Sequence, residues 1–532
     1  MSLKKTLAIA TAAASLAAIS VPAMAFENEV HGTSRLRLFF SNYEQGGGGN
    51  PLNTTATGTV GLPAGNTTNN LYTNNYFEQR SRLFYTAKAS DDLKLVTAFE
   101  IDSVFGDRAQ GGTTYGAVAG ATPTAATTAN AAGAVGRGQG GALESDTVNL
   151  ETKWVYLDFK IPSTTTRVSA GIMPVKDQIK GIFFDADVAG IYTNSKFDNV
   201  GLQAGYFRGY DKTYFSYTTG KDTTGGKGQD TLTIGALQAQ FALSKDANIG
   251  GAYYIYDDAR GMVTGFGSDL QIHTVALTGD AKFGKLALSG FMAYQGGIVK
   301  DFTPGQNAYL NAYALNAAAK MAAGPGTFKT AILYTSGNNA SDSSSTHLKG
   351  WVGTSQSQNN AWAAATGTSS YNESGMMLLN RNVAAGTGTT DVAIAYNTGN
   401  GATPATMQGM YLYTLGYDAT ITPKVYLNTN LGFLWAAKHN SSVKAGDTTA
   451  LAALAAPGET AAQHNARARN ASNFQGAELN VEAGYKMYDN LTLSLQAAYV
   501  MLGGYYNNSS SYLVGKDVEN PYTVRTSLIF NF

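Results

Sequence analysis

The chain contains no cysteine, little charge of either sign, and no long apolar run after its first 25 residues. Without cysteine there is no disulfide scaffold, no thiolate-ligated zinc or iron–sulfur centre and no covalent haem attachment. Its 37 basic and 37 acidic side chains in 532 residues make 14% charged residues, against roughly a quarter in an average soluble domain. Formal neutrality excludes a general nucleic-acid binder, which needs a basic stripe to neutralise phosphates. The five histidines, His31, His273, His347, His439 and His464, are scattered, and none has metal-ligand spacing with another. His31 and Ser34 have opposite parity, which sends them to opposite faces of a strand. No phosphate-binding loop occurs either. The sequence therefore predicts no enzyme, no cofactor and no metal.

What fills the space left by charge is neutral and polar. Apolar residues stand at an ordinary 44%, so Gly, Asn, Thr, Ser, Gln and Tyr carry the sequence, with 61 glycines and 31 tyrosines. That composition suits β-structure with polar loops better than helices. At the start, Lys4 and Lys5 precede an alanine-rich apolar run to about Val21, and Ala23-Met24-Ala25 offers small residues at the positions signal peptidase reads. Residues 1–25 are expected to be a cleaved secretory signal, leaving a single domain over 26–532. The run is too short for an anchoring helix, which needs about 20 apolar residues.

Beyond it the dominant period is two. In the last twelve residues Tyr522, Val524, Thr526, Leu528, Phe530 and Phe532 form an apolar face, while Thr523, Arg525, Ser527, Ile529 and Asn531 form a largely polar one. A strand between lipid and water requires that division. Leu491, Leu493, Leu495, Ala497, Tyr499 and Met501 alternate in the same way with Thr492, Ser494, Gln496 and Ala498. Continued along the chain, the pattern predicts strands near 30–43, 76–89, 93–105, 148–160, 167–173, 188–197, 200–209, 231–243, 248–257, 270–283, 285–296, 310–322, 327–335, 407–420, 424–437, 474–487, 491–503 and 521–532. The fold class expected is all-β: a transmembrane antiparallel β-barrel of about eighteen strands, sixteen being the alternative. Hydrocarbon offers no partner to backbone N–H or C=O groups, so such a sheet must close.

Short turns such as Asp91-Asp92, Asp198-Asn199, Gly284, Thr422-Pro423 and Asp489-Asn490 alternate with long connections, the outer-membrane arrangement of periplasmic turns and extracellular loops. Four loops stand out, at 44–75, 106–147, 336–406 and 438–473; within the third, Met376 to Tyr396 is less polar and is expected to form a small hairpin. Trp154 with Tyr156, Tyr411 with Tyr413, and Phe433 with Trp435 are same-face pairs near strand ends, expected in the interfacial aromatic belt.

Several fragments resemble a known family. Leu528-Ile529-Phe530-Asn531-Phe532 looks like the C-terminal assembly signal of Gram-negative porins, with Phe530 and Phe532 at its key positions. Val30-His31-Gly32 followed by Arg35-Leu36-Arg37-Leu38 is similar to a porin first strand. Trp154-Val155-Tyr156-Leu157-Asp158-Phe159, Gly171-Ile172-Met173-Pro174 and Phe183-Phe184-Asp185-Ala186-Asp187 are similar to later porin segments. The chain most resembles the porin-like outer-membrane channels of anaerobic delta-proteobacteria. That resemblance implies residence in the outer membrane of a Gram-negative bacterium, contact with lipid, lipopolysaccharide and the outer-membrane assembly machinery, a homotrimer, and passage of small hydrophilic solutes.

Strand parity names the lumen residues. Arg35 and Arg37, Glu78 with Arg80 and Arg82, and Arg525 face inward, and closure gathers the five arginines into a basic channel-lining wall; isolated solvated charges are the alternative should a strand slip by one residue. Arginine suits such crowding because its guanidinium keeps its charge. By resemblance, the connection at roughly 174–187, with Lys176, Asp177, Lys180, Asp185 and Asp187, is the constriction loop, and Asp177, Asp185 and Asp187 stand across from the arginines. An eighteen-stranded barrel is wide enough for a water-filled channel. The function expected is a porin for passive diffusion of small hydrophilic solutes or ions, slightly favouring anions. Two other uses of a barrel remain: a sheath for a partner such as an electron-transfer cytochrome, and a structural or adhesive outer-membrane protein. A plugged active transporter would need a folded domain before strand one, which starts about five residues after the expected cleavage site.

Overall fold

The computed structural model describes residues 27–42, 73–106, 150–211, 231–259, 270–303, 306–338, 346–353, 371, 373, 375–379, 409–438, 472–505 and 520–532. The signal segment, most of the four long loops and the expected hairpin beyond Leu379 lie outside the described residues.

Alternation of apolar and polar side chains produces strands wherever the sequence carries it. They are β1 (Glu27–Ser41), β2 (Asn74–Ser90), β3 (Leu93–Val104), β4 (Glu151–Lys160), β5 (Thr166–Lys176), β6 (Asp185–Phe197), β7 (Val200–Asp211), β8 (Thr231–Ser244), β9 (Ala247–Asp258), β10 (Leu270–Phe283), β11 (Leu286–Thr303), β12 (Gln306–Ala323), β13 (Gly326–Thr335), β14 (His347–Leu348), β15 (Met410–Thr422), β16 (Val425–Ala436), β17 (Phe474–Tyr488), β18 (Leu491–Leu502) and β19 (Tyr522–Asn531). The two-residue β14 pairs in parallel with β12 from inside a loop. The other eighteen form one closed antiparallel ring, each strand beside its neighbour in sequence and β13 beside β15. All eighteen expected strands are present. Connections on one side are short turns. On the other side they are mostly long, except that β11 and β12 extend to Thr303 and Gln306, where the sequence pattern predicted a loop at 297–309.

The seam between β1 and β19 runs from Thr33 opposite Asn531 to Ser41 opposite Thr523. At its short-turn end Gly32 and Phe532 exchange backbone hydrogen bonds of 2.8 and 3.0 Å. The Phe532 ring occupies the space a Cβ on residue 32 would need, 2.6 Å from its ideal position, with the Arg82 carbonyl at 2.5 Å. Glycine lets the seam close here without displacing either group.

The outer surface is apolar. Leu202, Leu237, Ile249, Val275, Leu277, Met292, Leu415, Leu479, Leu495 and Met501 are all exposed, whereas the residues between them turn inward; in a soluble protein such a continuous apolar surface would drive association. Tyr411 and Tyr413 lie on this outer face and pack on Trp435 and Phe433 respectively, as an interfacial belt requires. Trp154 and Tyr156 depart from that expectation. Val155 and Leu157 take the outer face, so Trp154 turns inward and packs its ring against Phe84, 5.2 Å away. The sequence pairs two aromatics there, but parity with the exposed valine and leucine decides their side.

Candidate functional site: the lumen wall and the inward loops

Three segments fold into the ring. Residues 177–184, between β5 and β6, reach the inner faces of distant strands. The Gln178 N–H donates to Tyr254 Oη on β9 at 2.9 Å, and Lys180 Nζ donates to Ser289 Oγ on β11 at 3.0 Å. Asp177 shapes this turn, its carboxylate accepting the backbone N–H groups of Gly181, Phe183 and Phe184 at 2.7, 2.8 and 2.6 Å. Burial pushes the Asp177 carboxyl up to about 6 against the opposing effect of those hydrogen bonds. Residues 346–353 lie on β11, where the Gln295 side chain exchanges hydrogen bonds with Val352, donating to its carbonyl at 2.8 Å and accepting its N–H at 2.9 Å. The Trp351 indole donates to the Ile182 carbonyl at 3.2 Å, joining this segment to the first.

The third segment, described at residues 371, 373 and 375–379, docks further round the ring on β12, β16 and β17. Glu478 on β17 is fully buried and accepts the N–H groups of Met377, Leu378 and Leu379 at 2.7, 2.9 and 2.7 Å. A buried carboxylate is costly unless hydrogen-bonded, and three convergent amides meet that need. Tyr371 Oη accepts from Asn316 Nδ2 on β12 at 2.6 Å. Met376 presses its sulfur 2.2 Å from where a Cβ on Gly432 would stand, so that glycine on β16 makes room for the segment. Lys180 and Glu373 link the first and third segments at 2.5 Å; burial pulls the Lys180 ammonium down from its ordinary value and Glu373 opposes that shift.

Ile179, Ile182, Phe183, Phe184, Trp351, Leu378 and Leu379 from these segments are all nearly inaccessible and merge with the inner faces of β9–β12 in one apolar cluster. The inner face of β12 is built for it: Ala308, Ala312, Ala314 and Ala318 leave depth that larger side chains would fill. A sheet face that would line a wet pore is converted into a packed core on this side.

Across the ring the wall is charged. β2 and β11 stand nine places apart among eighteen. Arg35, Arg37, Arg80, Arg82 and Arg525 are gathered as parity predicts, with Arg35 directly opposite Arg80 and Phe39 opposite Arg525. Carboxylates are interleaved among them. Arg80 binds Asp102 through two nitrogens, Nε at 2.7 Å. Arg82 binds Glu100. Arg35 and Arg37 both approach Glu78, at 3.4 and 3.9 Å. Arg37 and Arg525 are only 2% and 0% exposed, and the Arg525 guanidinium lies over the Phe39 ring at 5.8 Å. Arg35, Arg80 and Arg82 are therefore the accessible members of the five.

The acidic residues expected opposite the arginines are placed elsewhere. Asp177 is committed to its own turn. Asp185 pairs with its cross-strand neighbour Lys176 at 3.1 Å, and Asp187 holds Lys153 at 2.9 Å and the Trp154 indole at 2.7 Å. Glu78, Glu100 and Asp102, on the arginines' own wall, are the carboxylates that meet them. Parity assigns Glu78 to the lumen, and the same count extended to β3 marks Glu100 and Asp102; Glu478 carries no local signal because its partners lie about a hundred residues away. Phe530 and Phe532 stack on the outer face at 5.5 Å. Among the described residues no group of three acidic or histidine side chains is arranged to hold a metal ion.

A sealed ring of strands, apolar outside and polar within, is a membrane-spanning β-barrel. Searches with protein-family models and against curated proteins find no match. Among solved structures the chain is similar in fold to the outer-membrane protein opdK of Pseudomonas aeruginosa (9% identity, 95% of this chain and 99% of that one, TM-score 0.46) and to OccAB4 of Acinetobacter baumannii (10%, 95% and 98%, 0.48). It is also similar to a BenF-like porin of Pseudomonas fluorescens Pf-5 (10%, 95% and 98%, 0.45). At such identity the function has to be argued from this chain's own residues.

Proposed function

We propose that the protein is an outer-membrane porin, a water-filled channel for passive diffusion of small hydrophilic solutes or ions, with a weak preference for anions. The observation that carries this is the asymmetry of the lumen: inward loops pack against β9–β12, β16 and β17, while the wall of β1–β4 keeps accessible, solvated charge. Segment 177–184 then acts as the constriction, narrowing the path from the side opposite the arginines. Charge on one wall and apolar packing on the other orients polar solutes and disfavours apolar ones. The anion preference is weak because each accessible arginine is bound to a carboxylate. The likeness to delta-proteobacterial channel proteins and a trimeric assembly belong to the same proposal.

Single-channel conductance of purified protein in planar bilayers, with the reversal potential in a salt gradient, tests it. A steady conductance with slightly higher anion permeability is expected, and the combined Arg35→Ser, Arg37→Ser, Arg80→Ser and Arg82→Ser variant should lose that preference. Unchanged selectivity would remove the arginine wall from the mechanism, and no conductance would remove the pore. A sheath around a partner cytochrome is disfavoured by the chain's own segments occupying the interior.

A further inference from the structure

Below the 177–184 segment, toward the short turn at 198–199, the lumen wall contains a separate hollow of about 370 Å³ on β6–β9. Phe197, Leu202, Phe241 and Ile249 take the outer face of these strands. Asn194 and Lys196 on β6, Gln203 on β7, Gln240 on β8 and Asn248 on β9 therefore face the lumen, and Gln178 closes the hollow from the loop side. Cross-strand register sets Asn194 opposite Gln203 and Gly201 opposite Gln240. The hollow exists because position 201 has no side chain. A Cβ there would meet only the Gln240 carbonyl, at 4.0 Å, so the wall is recessed where its neighbours project.

The rim is made mostly of uncommitted amides, and the exposed Lys196 and Asp198 at its turn end carry opposite charges that leave it without net charge. Asn194, Gln203 and Gln240 make no side-chain hydrogen bond among the described residues, and the Oε1 of Gln178, though buried, accepts none. Asn248 gives one long bond, 3.3 Å, to Asp280. Each amide presents a donor and an acceptor side by side, as does each hydroxyl of a polyol. Several amides around a small recess thus match a solute with many hydroxyls and no net charge, whereas a carboxylate or ammonium solute would be better served by the wall of β1–β4. The volume lies at the low end of the range for small-molecule sites.

We propose that this hollow is a binding subsite for small uncharged polyhydroxylated solutes of monosaccharide size, on the short-turn side of the inward loop. The proposal rests on the protein being an open channel. Binding is weak, because a solute that must leave cannot be held tightly.

The test uses purified full-length protein in planar bilayers, with D-glucose titrated on each side and ionic conductance recorded. Wild type should show a saturable fall in conductance with millimolar half-saturation. Gly201→Val, whose Cβ would stand no closer than 4.0 Å to any neighbour, and separately Gln203→Leu with Gln240→Leu, should weaken that effect by about tenfold, the size of losing one or two hydrogen bonds. The double variant stands alone should the valine impair assembly, and conductance in salt alone reports assembly for every variant. Sodium gluconate and glycine serve as anionic and zwitterionic comparisons. The subsite is overturned if glucose lowers conductance only linearly and equally in wild type and variants, or if gluconate or glycine saturates at the same concentration. Absence of conductance in salt alone would instead overturn the channel itself.

Discussion

Arg80 and Arg82 are held in the lumen by Asp102 and Glu100 at the directly opposite positions of β3. Like charges placed opposite each other, as Arg35 and Arg80 are, destabilise a sheet; carboxylates between them offset that cost and reduce the field a solute feels. A solute ion about 7 Å from one uncompensated charge in a watery lumen gains roughly 0.6 kcal/mol, about threefold in local concentration. Glu100→Gln with Asp102→Asn should therefore raise the anion-to-cation permeability ratio several-fold, more at low ionic strength than at high. A reversal potential unmoved by the pair would show that solutes do not pass along this wall.

At the scale of elements, the inward segments depend on two buried carboxylates, each accepting three backbone N–H groups. Glu478→Gln puts an amide nitrogen where an acceptor is needed, and leaving buried amides unsatisfied costs about 1–3 kcal/mol. Segment 371–379 should then undock: protease cleavage within loop 336–409 should accelerate by tenfold or more and single-channel conductance should rise, while the β-sheet circular dichroism persists. Asp177 gives the other segment a pH dependence. Its carboxyl is raised by burial to about 6, above the ordinary value of 3.8, so the docked form binds the proton more tightly than an undocked one. The stability gained from that proton is fully present below pH 4 and is lost as pH rises through about 6. Hydrogen exchange of amides 178–184, corrected for intrinsic rates, should show stronger protection at pH 5 than at pH 7. Asp177→Asn should flatten that difference.

For the whole molecule, closure is the decisive event, since an open edge in hydrocarbon leaves a row of alternate backbone N–H and C=O groups on each of two strands unpaired. The β1–β19 seam ends where the Phe532 ring covers Gly32. Gly32→Val forces a branched side chain against that ring and the Arg82 carbonyl, and overpacking of this kind costs about 1–3 kcal/mol where the backbone can yield. A lower thermal midpoint in detergent and increased protease sensitivity near β1 and β19 are expected, with Gly32→Ala showing a smaller effect of the same sign. Wild-type stability in the valine variant would mean the seam closes by a different register.

The sequence by itself determined where the barrel strands run and most of their inward and outward faces, because a period of two is a local property of the backbone and each residue's parity is fixed by its neighbours. Arg35, Arg80 and Arg82 were legible as lumen residues for that reason, and so was the outward placement of Tyr411 and Trp435. Only the tertiary structure decided which charges meet, where segments 177–184 and 371–379 dock, and that Arg37 and Arg525 are covered. Those outcomes depend on contacts such as Glu478 with Leu379 and Lys180 with Glu373, between residues far apart in the chain that come together only once the ring has closed and its interior has a shape to fill.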